Sequence, residues 1–127
     1  MQNRDAEYEK AAEIIKSIIN ETAKGYIGMP KVLEMAVLAL VSGLHLLIED
    51  LTGVGKTTLI RCLATVSGLD LGRIQFTPDL LPGDITGMMI WEPVQKAFLY
   101  REGPIHHRFI MADELNRAPA RTQSALL

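Results

Sequence analysis

One short turn constrains this chain more than any other feature: Gly53-Val-Gly-Lys-Thr-Thr58, set between an apolar run and a helix-forming run. Upstream, Leu44 to Glu49 is brief, rich in Leu and Ile, and preceded by the pair Ser42-Gly43. A run of that kind predicts a strand buried on both faces of a parallel sheet. Downstream, residues 56–67 (KTTLIRCLATVS) predict a helix that Gly68 ends. Strand, glycine turn and helix in that order point to an α/β architecture.

The remaining segments fit that class. Residues 5–20 predict an amphipathic helix, with Asp5 as N-cap and Tyr8, Ala11, Ala12, Ile15, Ile18 and Ile19 on one face. Residues 25–30 (GYIGMP) read as a loop, and Pro30 suits the first turn of a helix over 31–42 that is apolar on most sides and so expected to be buried. Arg73 to Phe76 and Phe109 to Ala112 predict further strands. Residues 77–87, with two prolines and two glycines, read as a loop or broken helix. Met88 to Trp91 and Ala97 to Tyr100 flank a turn at Glu92-Pro93 and predict a β-hairpin. Pro119 to Leu127 opens a last helix.

Composition narrows the functional classes. The 127 residues suit one domain, and 48% hydrophobic against 22% charged residues is the balance of a globular protein. Thirteen basic against fifteen acidic side chains give a net charge of −2, which argues against nucleic acid as a partner. Residues 32–48 are strongly apolar, yet Glu34, Ser42, Gly43 and His45 interrupt them, so no membrane span is expected. The single cysteine, Cys62, reads as a core thiol and points to a reducing, cytoplasmic setting. His106 and His107 are adjacent; on a strand they would point apart and could not easily share a metal.

The turn carries chemistry. Glycines let a backbone approach phosphate oxygens, and successive N–H groups ahead of a helix form an anion nest. Gly53, Val54, Gly55, Lys56, Thr57 and Thr58 supply such a loop; Lys56 would meet the β- and γ-phosphates and the Thr57 hydroxyl would ligate Mg²⁺. Asp50 stands where the full pattern has its first glycine, and its carboxylate must point away from bound phosphate. The second motif is Phe109-Ile-Met-Ala-Asp-Glu114, a buried strand ending in two acids. Asp113 would hold Mg²⁺ through water, and Glu114 would orient and deprotonate a water attacking the γ-phosphate. The pair of motifs predicts binding and hydrolysis of Mg-ATP, with Lys56 and Glu114 as catalytic residues. A non-catalytic nucleotide-binding or protein-interaction module is the alternative, favoured by Asp50. A small nucleotide kinase would explain the lysine loop but not the acidic pair.

These motifs, together with Gly43-Leu-His-Leu-Leu-Ile-Glu-Asp50, Arg73-Ile-Gln-Phe-Thr-Pro-Asp-Leu-Leu-Pro-Gly-Asp-Ile-Thr-Gly87, Gly103-Pro-Ile105, Ala112-Asp-Glu-Leu-Asn-Arg-Ala118 and Thr122-Gln-Ser-Ala-Leu-Leu127, resemble the N-terminal part of a MoxR-type AAA+ ATPase. The block from Phe76 to Gly87 is the most specific part, and Thr52 stands where that family usually has Pro. The resemblance implies a P-loop NTPase three-layer fold with a parallel sheet in the order 5-1-4-3-2. Strands 4 and 5 and the helical lid would be missing, so residues 1–24 form an N-terminal helix and 25–127 a partial domain truncated after the acidic motif. It implies adenine contacts from Tyr26, Ile27 and Gly28, for which a core-packing loop is the equal alternative. It implies that the 88–100 hairpin faces a partner. It also implies a homo-oligomeric ring, a hexamer in this family, in which a neighbouring subunit lends an arginine. Client or VWA-domain proteins would be remodelled or matured in a chaperone-like way. Asn116 and Arg117 either communicate between subunits, as such positions do in related proteins, or form a solvated polar turn. Asp79 and Asp84 are expected to cap short turns.

Overall fold

The computed structural model describes residues 2–49 and 55–126. Asp50, Thr52, Gly53 and Val54 of the glycine turn, and Leu127, lie outside the described residues. The chain forms two compact units, Met1–Leu69 and Asp70–Leu127.

The first unit is helical. Helix α1 spans Gln2–Gly25, α2 Pro30–Val41 and α3 Lys56–Ser67. The amphipathic pattern foresaw α1 but not its length; it runs on through Glu21–Gly25, where Thr22 is fully buried. Gly25 lets α1 approach α3, because a Cβ there would stand 2.7 Å from the Cys62 sulfur. Leu33, Ala36 and Val37 of α2 and Leu59, Leu63 and Ala64 of α3 form the core, each set at the i, i+3/i+4 or i+5 spacing of one helical face. The expectation that α2 is buried on most sides does not hold: Met35, Leu38 and Val41 are about half exposed or more. Gly68 closes α3 in the left-handed conformation at φ 63°, as its position predicts.

Leu44–Glu49 corrects the sequence reading. It forms no strand, and Leu44 and Leu47 are 68% and 74% exposed. A strand exists only when a neighbour pairs with its N–H and C=O groups. Among the described residues the ladders join other segments, so this run belongs to no sheet. His45, expected at the start of that strand, is exposed as well.

The second unit is built on a parallel pair. Strand β1, Leu71–Gln75, lies beside β4, Phe109–Asp113, in a register that opposes Leu71 to Phe109 and Gln75 to Asp113. The Phe76 N–H extends the ladder by donating to the Asp113 carbonyl (2.9 Å). Between them come helix α4 (Pro82–Thr86), the antiparallel hairpin of β2 (Gly87–Glu92) and β3 (Ala97–Glu102), and a 3₁₀ turn at Pro104–His106. Asp84 caps α4 by accepting the Leu81 N–H (2.8 Å), as its turn habit predicts. The Thr77 hydroxyl bonds Asp79 and holds that carboxyl below its ordinary range. Ile74, Phe76, Ile85 and Ala118 form the core, flanked by Leu80, Ile110 and Leu115. A Cβ at Gly103 would lie 2.1 Å from the Ile85 carbonyl oxygen, so only glycine lets the chain return from β3 across α4. After β4 follow 3₁₀ turns at Leu115–Arg117 and Ser124–Leu126 around the short α5, Ala120–Gln123. The last helix is thus split; Thr122 anchors it by donating to the Leu80 carbonyl (2.7 Å).

Among the described residues no helix is long and apolar enough to cross a membrane. The core argument predicts that Phe76→Ala, at a fully buried ring, lowers unfolding free energy by about 3–5 kcal/mol. Phe98→Ala, on the exposed hairpin, lowers it by about 1 kcal/mol or less. Urea denaturation of both variants checks the contrast.

Candidate functional site

The loop residues lie in the first unit. Gly55 is left-handed (φ 75°, ψ 22°), a conformation that costs a side-chain-bearing residue about 1–2 kcal/mol. It turns the chain directly into α3, with Lys56 and Thr57 half-buried on the first turn and Thr58 exposed. No side chain caps the start of α3. A helix start without such a cap offers several N–H donors and the positive end of the dipole, which suits phosphate.

Tyr26 packs against this turn. Its ring lies where a Cβ on Gly55 would come within 3.4 Å of Cε2, and a Cβ on Gly28 would strike its phenol oxygen at 2.1 Å. The structure therefore brings Tyr26, Gly28 and Gly55 together. Tyr26 is 8% exposed and Ile27 fully exposed, so these neighbours face opposite environments.

The acids lie in the second unit, at the end of β4. Asp113 is the last strand residue and half-buried; Glu114 follows in the left-handed region at φ 55° and is exposed. The switch of backbone conformation between them sends the two carboxylates to different partners. Arg73 Nη2 donates to Asp113 Oδ2 (2.9 Å) and to Gln75 Oε1 (2.8 Å). Arg117 Nη1 donates to Glu114 Oε2 across one 3₁₀ turn. That hydrogen bond, with the attraction of the Glu114 charge, raises the Arg117 guanidinium above its ordinary range. Asn116 beside it is exposed. Sequence reasoning missed Arg73 altogether and gave Arg117 no contact with Glu114. The signal for the first was there in principle: Arg73 and Gln75 alternate onto one face of a strand that neighbours the acidic one.

The other candidates have structural partners. His106 Nε2 and the Tyr100 hydroxyl both approach the Thr86 carbonyl (3.0 and 2.6 Å), which fastens the root of the hairpin to α4. His107 Nδ1 lies 3.0 Å from the Pro104 carbonyl. Among the described residues no group of His, Cys, Asp and Glu side chains is arranged to hold a metal by itself. Cys62 is half-buried against Gly25.

Comparison with known proteins decides the family. The family model described as "ATPase family associated with various cellular activities (AAA)" matches residues 45–127. The chain belongs to the AAA ATPase family. Its relatives set it in the MoxR-type branch of that family. It is 41% identical over 119 residues to the chaperone MoxR1 of Mycobacterium tuberculosis, covering 92% of this chain and 32% of that protein. It is 48% identical over 101 residues to YeaC, an uncharacterized protein of Bacillus subtilis, covering 80% of this chain and 32% of YeaC. A crystal structure of a proposed ATPase from Cytophaga hutchinsonii superposes with a TM-score of 0.82 at 39% identity, over 99% of this chain and 39% of that one. The chain thus spans about a third of the length of these curated relatives. The mixed α/β fold with a small parallel sheet is the AAA+ fold in part.

For this AAA ATPase, Gly55→Ala and Gly43→Ala both force a left-handed residue (φ 75° and 64°) to carry a side chain. Each is predicted to lose about 1 kcal/mol in urea denaturation. Only Gly55→Ala should also weaken ATP binding, measured by equilibrium titration.

Proposed function

We propose that the chain is the Mg-ATP-binding part of a MoxR-like ATPase that uses hydrolysis to remodel or mature client proteins. The observation that carries the proposal is the start of α3: a left-handed glycine, no side-chain cap, and Lys56 and Thr57 on the first turn. Gly53, Val54, Gly55 and the amides that follow would cradle the phosphates, Lys56 would meet the β- and γ-phosphates, and Thr58 completes the loop. The Thr57 hydroxyl, and Asp113 through water, would hold Mg²⁺. When bound, Mg²⁺ neutralises charge on the β- and γ-phosphate oxygens. Glu114 orients the attacking water and accepts its proton, which requires its carboxylate to leave Arg117. Tyr26, Ile27 and Gly28 would meet the adenine; the exposure of Ile27 supports a hydrophobic contact there.

Residues 1–24 serve as a leading helix and 25–127 as the nucleotide-binding part. The intact protein forms a homo-oligomeric ring, a hexamer by likeness to its family, in the cytoplasm, and a neighbouring subunit contributes an arginine to the γ-phosphate. Clients or VWA-domain proteins are its partners. The chaperone naming of the Mycobacterium tuberculosis relative supports this role.

A second reading, a non-catalytic module, draws on the engagement of both acids by arginines. Two variants of the intact protein separate the readings. Lys56→Ala should weaken ATP binding at least tenfold in an equilibrium titration, and equal affinities would contradict the phosphate-loop assignment. Glu114→Gln should retain ATP binding and lower steady-state hydrolysis about 100-fold. Turnover at the wild-type rate would remove Glu114 from catalysis.

A further inference from the structure

The β1–β4 ladder gathers three polar side chains on one face. Arg73 and Gln75 alternate onto the same side of β1, and the register sets Gln75 opposite Asp113. Arg73 Nη2 bridges the other two, to Gln75 Oε1 at 2.8 Å and Asp113 Oδ2 at 2.9 Å. The amide oxygen of Gln75 steers the guanidinium, and the guanidinium steers the carboxylate.

We propose that Arg73 is a positioning residue for the divalent cation: it holds one oxygen of Asp113, reserves the other for the cation's water, and limits the affinity with which that cation binds. This inference rests on the reading of Asp113 as a holder of Mg²⁺. Its physical basis is twofold. A guanidinium does not deprotonate in a protein, so its charge stands beside the metal-binding carboxylate at every working pH. It also occupies Oδ2, so the carboxylate cannot give both oxygens to a metal while the pair persists. A carboxylate freed of this partner is a stronger and less directed cation ligand. Arg73 is 46% and Asp113 31% exposed, so solvent screens the repulsion between guanidinium and cation. The expected effect on affinity is therefore modest, about fivefold.

The test uses the intact protein with a non-hydrolysable ATP analogue and Mn²⁺, its binding read by electron paramagnetic resonance. Arg73→Gln should tighten Mn²⁺ binding about fivefold, while affinity for the analogue in EDTA stays unchanged. Arg73→Met, which keeps the apolar stem, should give the same shift, and Arg73→Lys should remain within about twofold of wild type. Unchanged or weaker Mn²⁺ binding in both neutral variants, with analogue binding in EDTA intact, overturns the role of Arg73. Asp113→Asn identifies the cause of such a failure. If it weakens Mn²⁺ binding, Asp113 holds the cation and only the role of Arg73 is lost. If it leaves Mn²⁺ binding unchanged, the metal assignment of Asp113 and this inference fall together.

Discussion

Two parallel strands cannot be joined by a tight turn, and the Asp70–Leu127 unit is organised by that constraint. The connection from β1 to β4 must cross over and pack back onto the pair. Residues 76–108 do so by placing Phe76 and Ile85 in the core and by threading Gly103 against the α4 backbone. The hairpin projects from this crossover, rooted by Tyr100 and His106 on the Thr86 carbonyl. The ladder then delivers Asp113 to the end of β4 in register with Gln75, within reach of Arg73. The acidic end of the strand is therefore a consequence of how the crossover closes.

Features encoded locally were legible in the sequence. Helix α3 begins at Lys56 and ends at Gly68 as read, because a left-handed glycine stands at each end. The hairpin, β1 and β4 appeared within about two residues of their expected bounds, each marked by turn residues or a short apolar run. Leu44–Glu49 was misread because its composition describes the environment of a buried strand, whereas a strand also needs hydrogen-bonding neighbours. The exposed face of α2 has the same explanation: apolar residues ask for cover, and the sequence does not say which face receives it.

The site was legible at the level of motifs and not of contacts. Gly55, Lys56 and Thr57 stand at the start of α3, Asp113 at the end of β4 and Glu114 just after it. The partners of the acids required information that spacing does not carry. Arg73 reaches Asp113 across forty positions through strand register, and Arg117 reaches Glu114 because Glu114 is left-handed and starts a 3₁₀ turn. Tyr26 against Gly55 is likewise a packing fact. Each of these contacts sets a charge or a surface next to a residue proposed for the site.

The central proposal is that the loop at Lys56 and the acids at Asp113 and Glu114 would serve a single Mg-triphosphate. The most direct measurement is a structure of the intact protein with Mg²⁺ and a non-hydrolysable ATP analogue. The account predicts the Lys56 Nζ at about 3 Å from β- and γ-phosphate oxygens and the Asp113 carboxylate one water, about 4–5 Å, from the metal. A bound triphosphate whose metal lies far from Asp113, or whose phosphates lie far from Lys56, would contradict it.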